Sequence, residues 1–171
     1  KSNKDGLISN LEGLLAYQSE NGLWRQLVDY PEAWEETSAS AMFAYSMITG
    51  MRLAWLDDEI YGPVVEKTWL SLVDKLNENG ELEEVCMGTN EKYTAQEYPD
   101  RPRKTGDFHG QAPLLWAAEA LLRLDYDSTN NADTTVASRE SLYTFPKDLI
   151  IYLNPANDQV FIQLPVQMDI F

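Results

Sequence analysis

Acids and hydroxyls stand side by side in EETSAS, residues 35–40, directly before an apolar run with helical spacing. One polar side chain is enough to cap a helix, so the surplus suggests that this helix end faces a polar ligand. The helix dipole stabilises carboxylates at such an end, which leaves Glu35 and Glu36 open to a purely structural interpretation. Ser38 and Ser40 do not stand in a G-x-S-x-G motif, so capping and close packing are favoured over a nucleophilic serine.

The single histidine, His109, lies in a second polar segment, GDFHG, at residues 106–110. Asp107 precedes it and Gly110 follows it, so the imidazole belongs to a turn at the start of a helix rather than to an apolar face. An imidazole in such a turn can bind a ligand or exchange a proton near neutral pH. We therefore expect His109 to belong to a functional site. Three basic residues just before it fit a solvated loop, although an anionic substrate would also need them nearby: Arg101, Arg103 and Lys104.

The tryptophans divide into two groups by position. Trp24 and Trp34 lie in the irregular connection GLWRQLVDYPEAW before the apolar run. Their flat apolar faces, with polar neighbours, are what a sugar ring requires, and packing beneath the loop is the equal alternative. Trp69 and Trp116 lie on helical stripes, so we predict that they belong to the core.

Composition excludes several classes of function. The chain has 171 residues, 44% of them apolar and 24% charged, which is typical of one globular domain. Its formal charge of −15 would repel nucleic acid and anionic membranes. Cys86 is the only cysteine, so we predict no internal disulfide, no cysteine zinc cluster, no metal and no cofactor. The chain begins at Lys1 rather than Met, so we expect a segment upstream of it.

Apolar periodicity predicts helices in pairs. The second predicted helix is apolar on nearly every side, so other helices should surround it and cover residues such as Met42 and Tyr45. The third carries one apolar stripe and one charged face, which indicates an outer helix. Outer and inner helices therefore alternate in stacked hairpins, the second and fourth being inner. The four helices are predicted at about 6–19, 38–53, 61–79 and 111–124.

The other segments are predicted to be a loop and a β tail. Residues 81–110 form a long polar loop, and loops of this length inside a domain are usually functional or disordered. Composition changes at Asp125, where a polar linker leads to two short apolar runs, LIIYL and QVFIQLPV, on either side of NPAND. These runs predict a β-hairpin. We therefore divide the chain into a helical domain, 1–124, and a linker with a hairpin tail, 125–171.

Two inner helices that run in the same direction would bring their N-termini together on one side of the layer. EETSAS and GDFHG would then share one rim. Partial positive charge from both helix ends would favour an anionic ligand, while acids and hydroxyls would contact sugar hydroxyl groups. We predict six binding residues on this rim, none of them a proton donor: Trp24, Gln26, Glu36, Ser38, Asp107 and His109.

The run NGLWRQLVDYPEAWEETSASAMFAYSMITGMRLAWLD, followed by CMGT and GDFHGQAPLLWAAEALLR, resembles the family 88 and family 105 glycoside hydrolases. These are the unsaturated glucuronyl and rhamnogalacturonyl hydrolases, and the resemblance covers about residues 6–124. It implies a mainly α fold in which the stacked hairpins form part of an (α/α)6 toroid. The active site of such a toroid lies at a mouth formed by the N-terminal ends of the inner helices. EETSAS would lie at the rim of this sugar pocket.

The chemistry that the resemblance implies differs from that of most glycosidases, which place two carboxylates across the glycosidic bond. The substrate is an acidic oligosaccharide ending in the 4,5-unsaturated uronic acid left by a polysaccharide lyase. An aspartate protonates the vinyl ether double bond while water adds, and the resulting hemiketal opens to release the sugar. Nothing in this sequence matches that aspartate, so we expect the chain to be the second half of such an enzyme, with the acid upstream of Lys1. The family pattern N-D-x-H-G-x-G is also replaced by GDFHGQA in this chain, without the asparagine and the final glycine.

Three functional hypotheses follow. The chain is a portion of a hydrolase, a non-catalytic carbohydrate-binding or helical interaction module, or a helical scaffold with no sugar role. Half of a toroid would leave apolar flanks exposed, which favours self-association or pairing with a missing N-terminal half. The resemblance is compatible with a bacterial cytoplasm or periplasm.

Overall fold

The computed structural model describes residues 2–88, 91–130, 150–154 and 159–163. Two compact units make up the chain, 1–124 and 125–171. The first unit is mainly α, as predicted. The helices are α1 Asn3–Leu15, α2 Thr37–Arg52, α3 Asp58–Asp74 and α4 Phe108–Asn130.

Short antiparallel strand pairs connect the helices. Strand β1, Trp24–Arg25, pairs with β2, Glu35–Glu36, directly before α2. Strand β3, Val85–Cys86, pairs with β4, Arg103–Lys104. The segment between them contains a 3-10 helix at Ala95–Glu97. The predicted long loop is therefore folded back on itself across its described residues.

The predicted helix boundaries were displaced because polar caps, rather than the apolar pattern, decide where these helices begin. Ser2 caps α1 through a capping box with Asp5, so this helix begins before its first apolar residue. Asp57 caps α3 with a single bond, in which its carboxylate accepts from the backbone N–H of Glu59. The structure replaces three predicted ranges. The helix predicted at 6–19 is Asn3–Leu15, the one at 61–79 is Asp58–Asp74, and the one at 111–124 is Phe108–Asn130.

The core lies where α2 packs along α3. The predicted stripe of α3 is confirmed, with Val65, Trp69 and Leu72 buried and its charged face exposed. Small residues on α2 allow the two helices to approach closely. The residues that α2 buries are Thr37, Ser38, Ser40, Ala41, Ala44, Met47, Ile48, Gly50 and Met51.

Two predictions are wrong for one face of α2 and α4: that other helices surround α2, and that Trp116 belongs to the core. Met42 and Tyr45 are exposed, and Trp116, predicted to be core, is 52% exposed. The rings of Tyr45 and Trp116 pack on each other with centroids 6.1 Å apart. The opposite faces of both helices hold the core, and no other helix or strand in the described part of the chain covers this one.

Trp24 and Ser40 join the first connection to the start of α2. The Ser40 hydroxyl accepts from the backbone N–H of Trp24 at 2.9 Å and donates to the Glu36 carbonyl at 2.6 Å. The indole of Trp24 donates to the Leu14 carbonyl at the end of α1, 2.8 Å away. All of these groups are buried, so each bond satisfies a polar atom that water cannot reach.

The second unit contains the predicted β-hairpin. Strand β5, Ile150–Asn154, pairs antiparallel with β6, Gln159–Gln163, with Tyr152 opposite Phe161. The predicted linker from Asp125 is wrong over its first residues, since α4 continues to Asn130. The remainder of that linker lies outside the described residues. No helix in the described ranges is long and apolar enough to cross a bilayer.

Replacing Ser40 by Ala should destabilise the fold, because it removes the partner of a buried N–H and of a buried carbonyl. We expect a loss of roughly 1–3 kcal/mol in the free energy of unfolding, measured with urea. Ser46→Ala is the matched control on the same helix: its partly exposed hydroxyl bonds only to the Met42 carbonyl. That change should stay within about 0.5 kcal/mol. Equal losses in the two variants would contradict this role of Ser40.

Candidate functional site

A cavity of about 350 Å³ opens where the N-termini of α2 and α4 meet the segments around β1 and β3. The starts of α2 and α4 therefore contribute residues to the same cavity. Polar groups line part of the cavity and apolar side chains line the rest. The lining residues are Gln26, Leu27, Glu36, Ser38, Ala39, Met42, Cys86, Gly88, Tyr98 and His109.

Four of the six predicted residues lie together in this lining: Gln26, Glu36, Ser38 and His109. Asp107 lies behind His109 and contacts it. Trp24 is the exception. It is 0% exposed, and its indole is bonded to the end of α1, so its ring offers no face to a ligand. The prediction that Trp24 stacks on a sugar is wrong, and the alternative, packing beneath the loop, holds.

Glu36 is the N-cap of α2, and protein donors surround its carboxylate. One oxygen accepts from the backbone N–H of Ser38 at 3.1 Å, from the Ser38 hydroxyl at 2.7 Å and from the N–H of Cys86 at 2.9 Å. The other accepts from the N–H of Ala39 at 2.6 Å. A carboxylate has about four lone-pair sites, so these four bonds leave Glu36 little capacity for a ligand.

The other hydroxyl of the polar cluster is also used within the protein. Thr37 donates its hydroxyl to the Glu83 carbonyl at 2.7 Å and its N–H to the Glu84 carbonyl at 3.3 Å. Together with the bonds of Ser40, these contacts fix the segment before β3 and strand β1 against the start of α2. The crowding of EETSAS is therefore mainly structural, and Ser38 is the hydroxyl of this cluster that reaches the cavity.

Asp107 holds His109 in place at the start of α4. Its Oδ1 accepts from the His109 N–H at 3.0 Å and lies 2.7 Å from the ring Nδ1. Lys104 lies 3.2 Å from its other oxygen. The hydrogen bonds from the His109 backbone and ring, followed by that from Lys104, lower the pKa of Asp107 from 3.8 to about 2. The side chain of His109 is 76% exposed, and its Nε2 has no hydrogen-bond partner among the described residues.

Gln26 contributes an acceptor that the protein does not satisfy. Its Oε1 is buried and has no hydrogen-bond partner in the described part of the chain. Its backbone N–H donates to the Trp34 carbonyl at 2.8 Å, which fixes the residue beside the cavity. A buried amide oxygen without a donor is costly, so the orientation of this amide is not fixed by a bond to its oxygen within the described residues.

The basic residues before α4 are used within the protein, which the sequence did not reveal. The Arg103 guanidinium lies 4.5 Å from the ring centroid of Trp34 and pairs with Glu84 at 2.5 Å. One face of Trp34 is therefore covered by a cation rather than open to a sugar. Lys104 forms an ion pair with Asp107, and Arg101 donates to the Gly88 carbonyl.

Several cavity residues escaped the sequence analysis. Met42 follows Ser38 by one helical turn, and this spacing could have placed both on the same face. Cys86, Gly88 and Tyr98 come from the long loop, where no periodicity shows which side chains turn inward. Within the described residues, no group of three or more His, Cys, Asp or Glu side chains is arranged to hold a metal ion.

Comparisons with known proteins agree with the resemblance found in the sequence. The pattern of Glycosyl Hydrolase Family 88 matches residues 3–125. The "Unsaturated rhamnogalacturonyl hydrolase YesR" of Bacillus subtilis (strain 168) is 30% identical over 116 residues, which are 67% of this chain and 32% of that protein. The "Unsaturated 3S-rhamnoglycuronyl hydrolase" of Formosa agariphila is 32% identical over 114 residues, 66% of this chain and 29% of the relative.

Solved structures give the same result. A crystal structure of "a possible member of GH105 family" from Salmonella enterica superposes with a TM-score of 0.67 at 29% identity, covering 72% of this chain and 32% of that one. A family 105 glycoside hydrolase from C. acetobutylicum has a TM-score of 0.61 at 21% identity, with 70% and 37% covered, and shows the fold alone. The chain thus has the fold of part of an (α/α)6 toroid, as predicted. It spans about a third of the length of these proteins.

Gly110 allows the start of α4 to lie against the β3 segment, so Gly110→Ala should destabilise the fold. A Cβ there would overlap Val85 Cγ2 and lie 3.2 Å from Leu82 Cδ2. We expect a loss of roughly 1–3 kcal/mol in urea unfolding. Gly13→Ala in α1 is the matched control, since its Cβ would meet nothing within 4 Å. That change should stabilise by about 0.5–1 kcal/mol, because Ala is the better helix former. A stabilised Gly110→Ala protein would contradict this packing.

The lowered pKa of Asp107 predicts a pH dependence of stability. Because the pKa of Asp107 is lower in the folded protein than its ordinary value, the ionised carboxylate adds to the free energy of unfolding at pH values above 3.8. That contribution is lost as the pH falls from 3.8 to about 2. Asp107→Asn cannot ionise, so its free energy of unfolding should fall less than that of the wild type over this interval. Urea unfolding of both proteins at several pH values measures the difference. Parallel curves would show that Asp107 is not stabilised as an anion.

Proposed function

Because the chain belongs to Glycosyl Hydrolase Family 88, we propose that its cavity is part of the sugar site of an unsaturated uronyl hydrolase. The proposed substrates are acidic oligosaccharides left by polysaccharide lyases, of the rhamnogalacturonyl or glucuronyl type. One observation carries the proposal: the residue after β1 and the starts of α2 and α4 bring Gln26, Ser38 and His109 to one cavity, although these three segments are separate in the chain.

The composition of the cavity lining supports a carbohydrate ligand. Leu27, Ala39 and Met42 provide apolar surface, while Gln26 and His109 provide an acceptor and an imidazole. A sugar ring has the same two characters, since its C–H face is apolar and its edge carries hydroxyl groups. Pockets that combine apolar walls with a few placed polar groups are typical of small-ligand sites. We propose that a sugar hydroxyl bonds to the side-chain amide of Gln26 and that Nε2 of His109 bonds to another oxygen.

The helix ends themselves offer less to a uronate than the sequence suggested. Glu36 caps α2, and Asp107 accepts at the first turn of α4, so a carboxylate already offsets the partial positive charge at each end. A second anion placed there would be repelled by both. We therefore propose that the cavity binds the neutral part of the oligosaccharide ring system, with the uronate group directed away from Glu36 and Asp107.

The proton donor of the proposed reaction is not one of these residues. Asp107, with a pKa of about 2, is ionised at neutral pH and cannot act as a general acid. Glu36 accepts four hydrogen bonds from the protein. In the proposed enzyme, an aspartate from a segment upstream of Lys1 protonates the double bond, water adds to the adjacent ring carbon, and the hemiketal opens. The described cavity would position the sugar for that step.

The lack of a proton donor in the described cavity favours a second candidate, a non-catalytic carbohydrate-binding module. Purified protein is mixed with a 4,5-unsaturated rhamnogalacturonan disaccharide or digalacturonide. Binding seen by NMR without loss of the ultraviolet absorbance of the double bond is expected of both candidates, and loss of absorbance would place a proton donor in this chain. A longer protein that also carries the proposed aspartate separates the two: loss of absorbance supports the hydrolase, and binding without it supports the binding module. No binding of either acidic disaccharide would overturn the proposed sugar site.

The exposed face formed by Tyr45 and Trp116 supports a proposal about partners. Soluble proteins seldom expose contiguous apolar surface of this kind without covering it. We propose that another helical segment covers this face, either from a second copy of the chain or from an N-terminal half of the same enzyme.

His109→Ala should weaken disaccharide binding at least about tenfold, because the imidazole is exposed at the cavity and contributes little to the core. NMR titration gives the dissociation constant, and thermal unfolding checks that the melting temperature is nearly unchanged. Thr105→Ala is the matched control, since Thr105 is exposed in the turn that precedes α4 and does not line the cavity. Unchanged affinity in His109→Ala would remove this residue from the site.

A further inference from the structure

The burial of Trp24 leaves the cavity without the aromatic face expected from the sequence. Among the described residues that line the cavity, one is aromatic, Tyr98. It lies in the segment between β3 and β4, and it is partly exposed. Neither its sequence position nor the family match assigns it a role.

Tyr98 is held by hydrogen bonds at both its backbone and its ring. Its N–H donates to the Ala95 carbonyl at 3.2 Å, and its carbonyl accepts from the Arg101 N–H at 3.1 Å, so it closes the 3-10 turn. The phenolic oxygen accepts from the backbone N–H of Lys92 at 3.2 Å. These bonds fix the position of a ring that lines the cavity.

The surroundings of Tyr98 complete a site with two kinds of surface. Leu27 and Met42 add aliphatic contacts, and His109 and Gln26 add polar ones. An aromatic ring binds the C–H face of a sugar through dispersion and burial of apolar area, and it loses little conformational entropy on binding. A cavity that held only aliphatic side chains would not provide a flat surface for a pyranose ring.

We propose that Tyr98 is the stacking platform of this cavity, with its ring face against one pyranose ring of an acidic oligosaccharide. This proposal rests on the proposed sugar site and adds the residue that supplies its apolar face. The bond from Lys92 to the phenol hydroxyl orients the ring, and the imidazole of His109 and the amide of Gln26 contact the hydroxyl groups of the same sugar.

The test measures binding of the 4,5-unsaturated rhamnogalacturonan disaccharide by the whole chain with NMR. Tyr98→Leu keeps apolar bulk but removes the flat ring, and it should raise the dissociation constant about tenfold. Tyr98→Phe keeps the ring and loses only the bond from Lys92, so it should stay within about threefold of the wild type. Tyr93→Leu is the matched control, because Tyr93 is in the same segment and fully exposed. Its dissociation constant should equal that of the wild type.

A direct readout distinguishes stacking from a structural role. Sugar C–H protons above an aromatic ring shift upfield, and nuclear Overhauser effects link them to the ring protons. We expect both signals in the wild type, Tyr98→Phe and Tyr93→Leu, and their loss in Tyr98→Leu. The Overhauser effects in the wild type decide the matter even if Tyr98→Leu fails to fold.

The outcomes separate this inference from the proposed function. If His109→Ala weakens binding and Tyr98→Leu does not, the stacking role is overturned and the sugar site stands. If the wild type binds the disaccharide without contacts to the Tyr98 ring, the result is the same. If the wild type binds neither unsaturated disaccharide, the proposed sugar site falls and the stacking role with it.

Discussion

The rest of this structure depends on the hydrogen bonds that the carboxylate of Glu36 accepts. This carboxylate is buried at the start of α2, where it accepts from the backbone of Ser38 and Ala39 and from that of Cys86 in β3. One charged group thereby caps a helix and binds a loop fifty residues away in the chain. An uncapped helix end and an unpaired strand N–H would both be costly in a buried position.

This arrangement decides which residues are left for a ligand. The carboxylates at the two helix starts, Glu36 and Asp107, accept hydrogen bonds from backbone N–H groups and from His109. Their charges are therefore already compensated inside the protein. Gln26, His109 and Tyr98 remain at the cavity, and each comes from a different segment. The cavity is therefore assembled by contacts that hold loops in place, and the groups that remain at it are an amide and an aromatic ring beside an imidazole.

Helical periodicity predicted the element types well because it reflects burial within one helix. The stripe of α3, with Val65 and Leu72 inward, follows directly from the sequence. The helix ends were predicted less well, since a cap such as Ser2 or Asp57 lies outside the apolar pattern and acts through a local hydrogen bond. Trp116 was predicted to be buried for another reason. An apolar side chain on a helical stripe favours burial, but it is buried only if another element of the structure packs against it.

The sequence by itself determined the mainly helical class, the two polar helix starts and the family. These depend on local spacing and on motifs that are contiguous in the chain. Only the tertiary structure decided that Trp24 is core, that the hydroxyl of Ser40 bonds to it, and that Tyr98 lines the cavity. Such facts depend on which distant backbone groups need a partner. Hydrogen-bond satisfaction across long separations has no period in the sequence, so it appears only when the chain is folded.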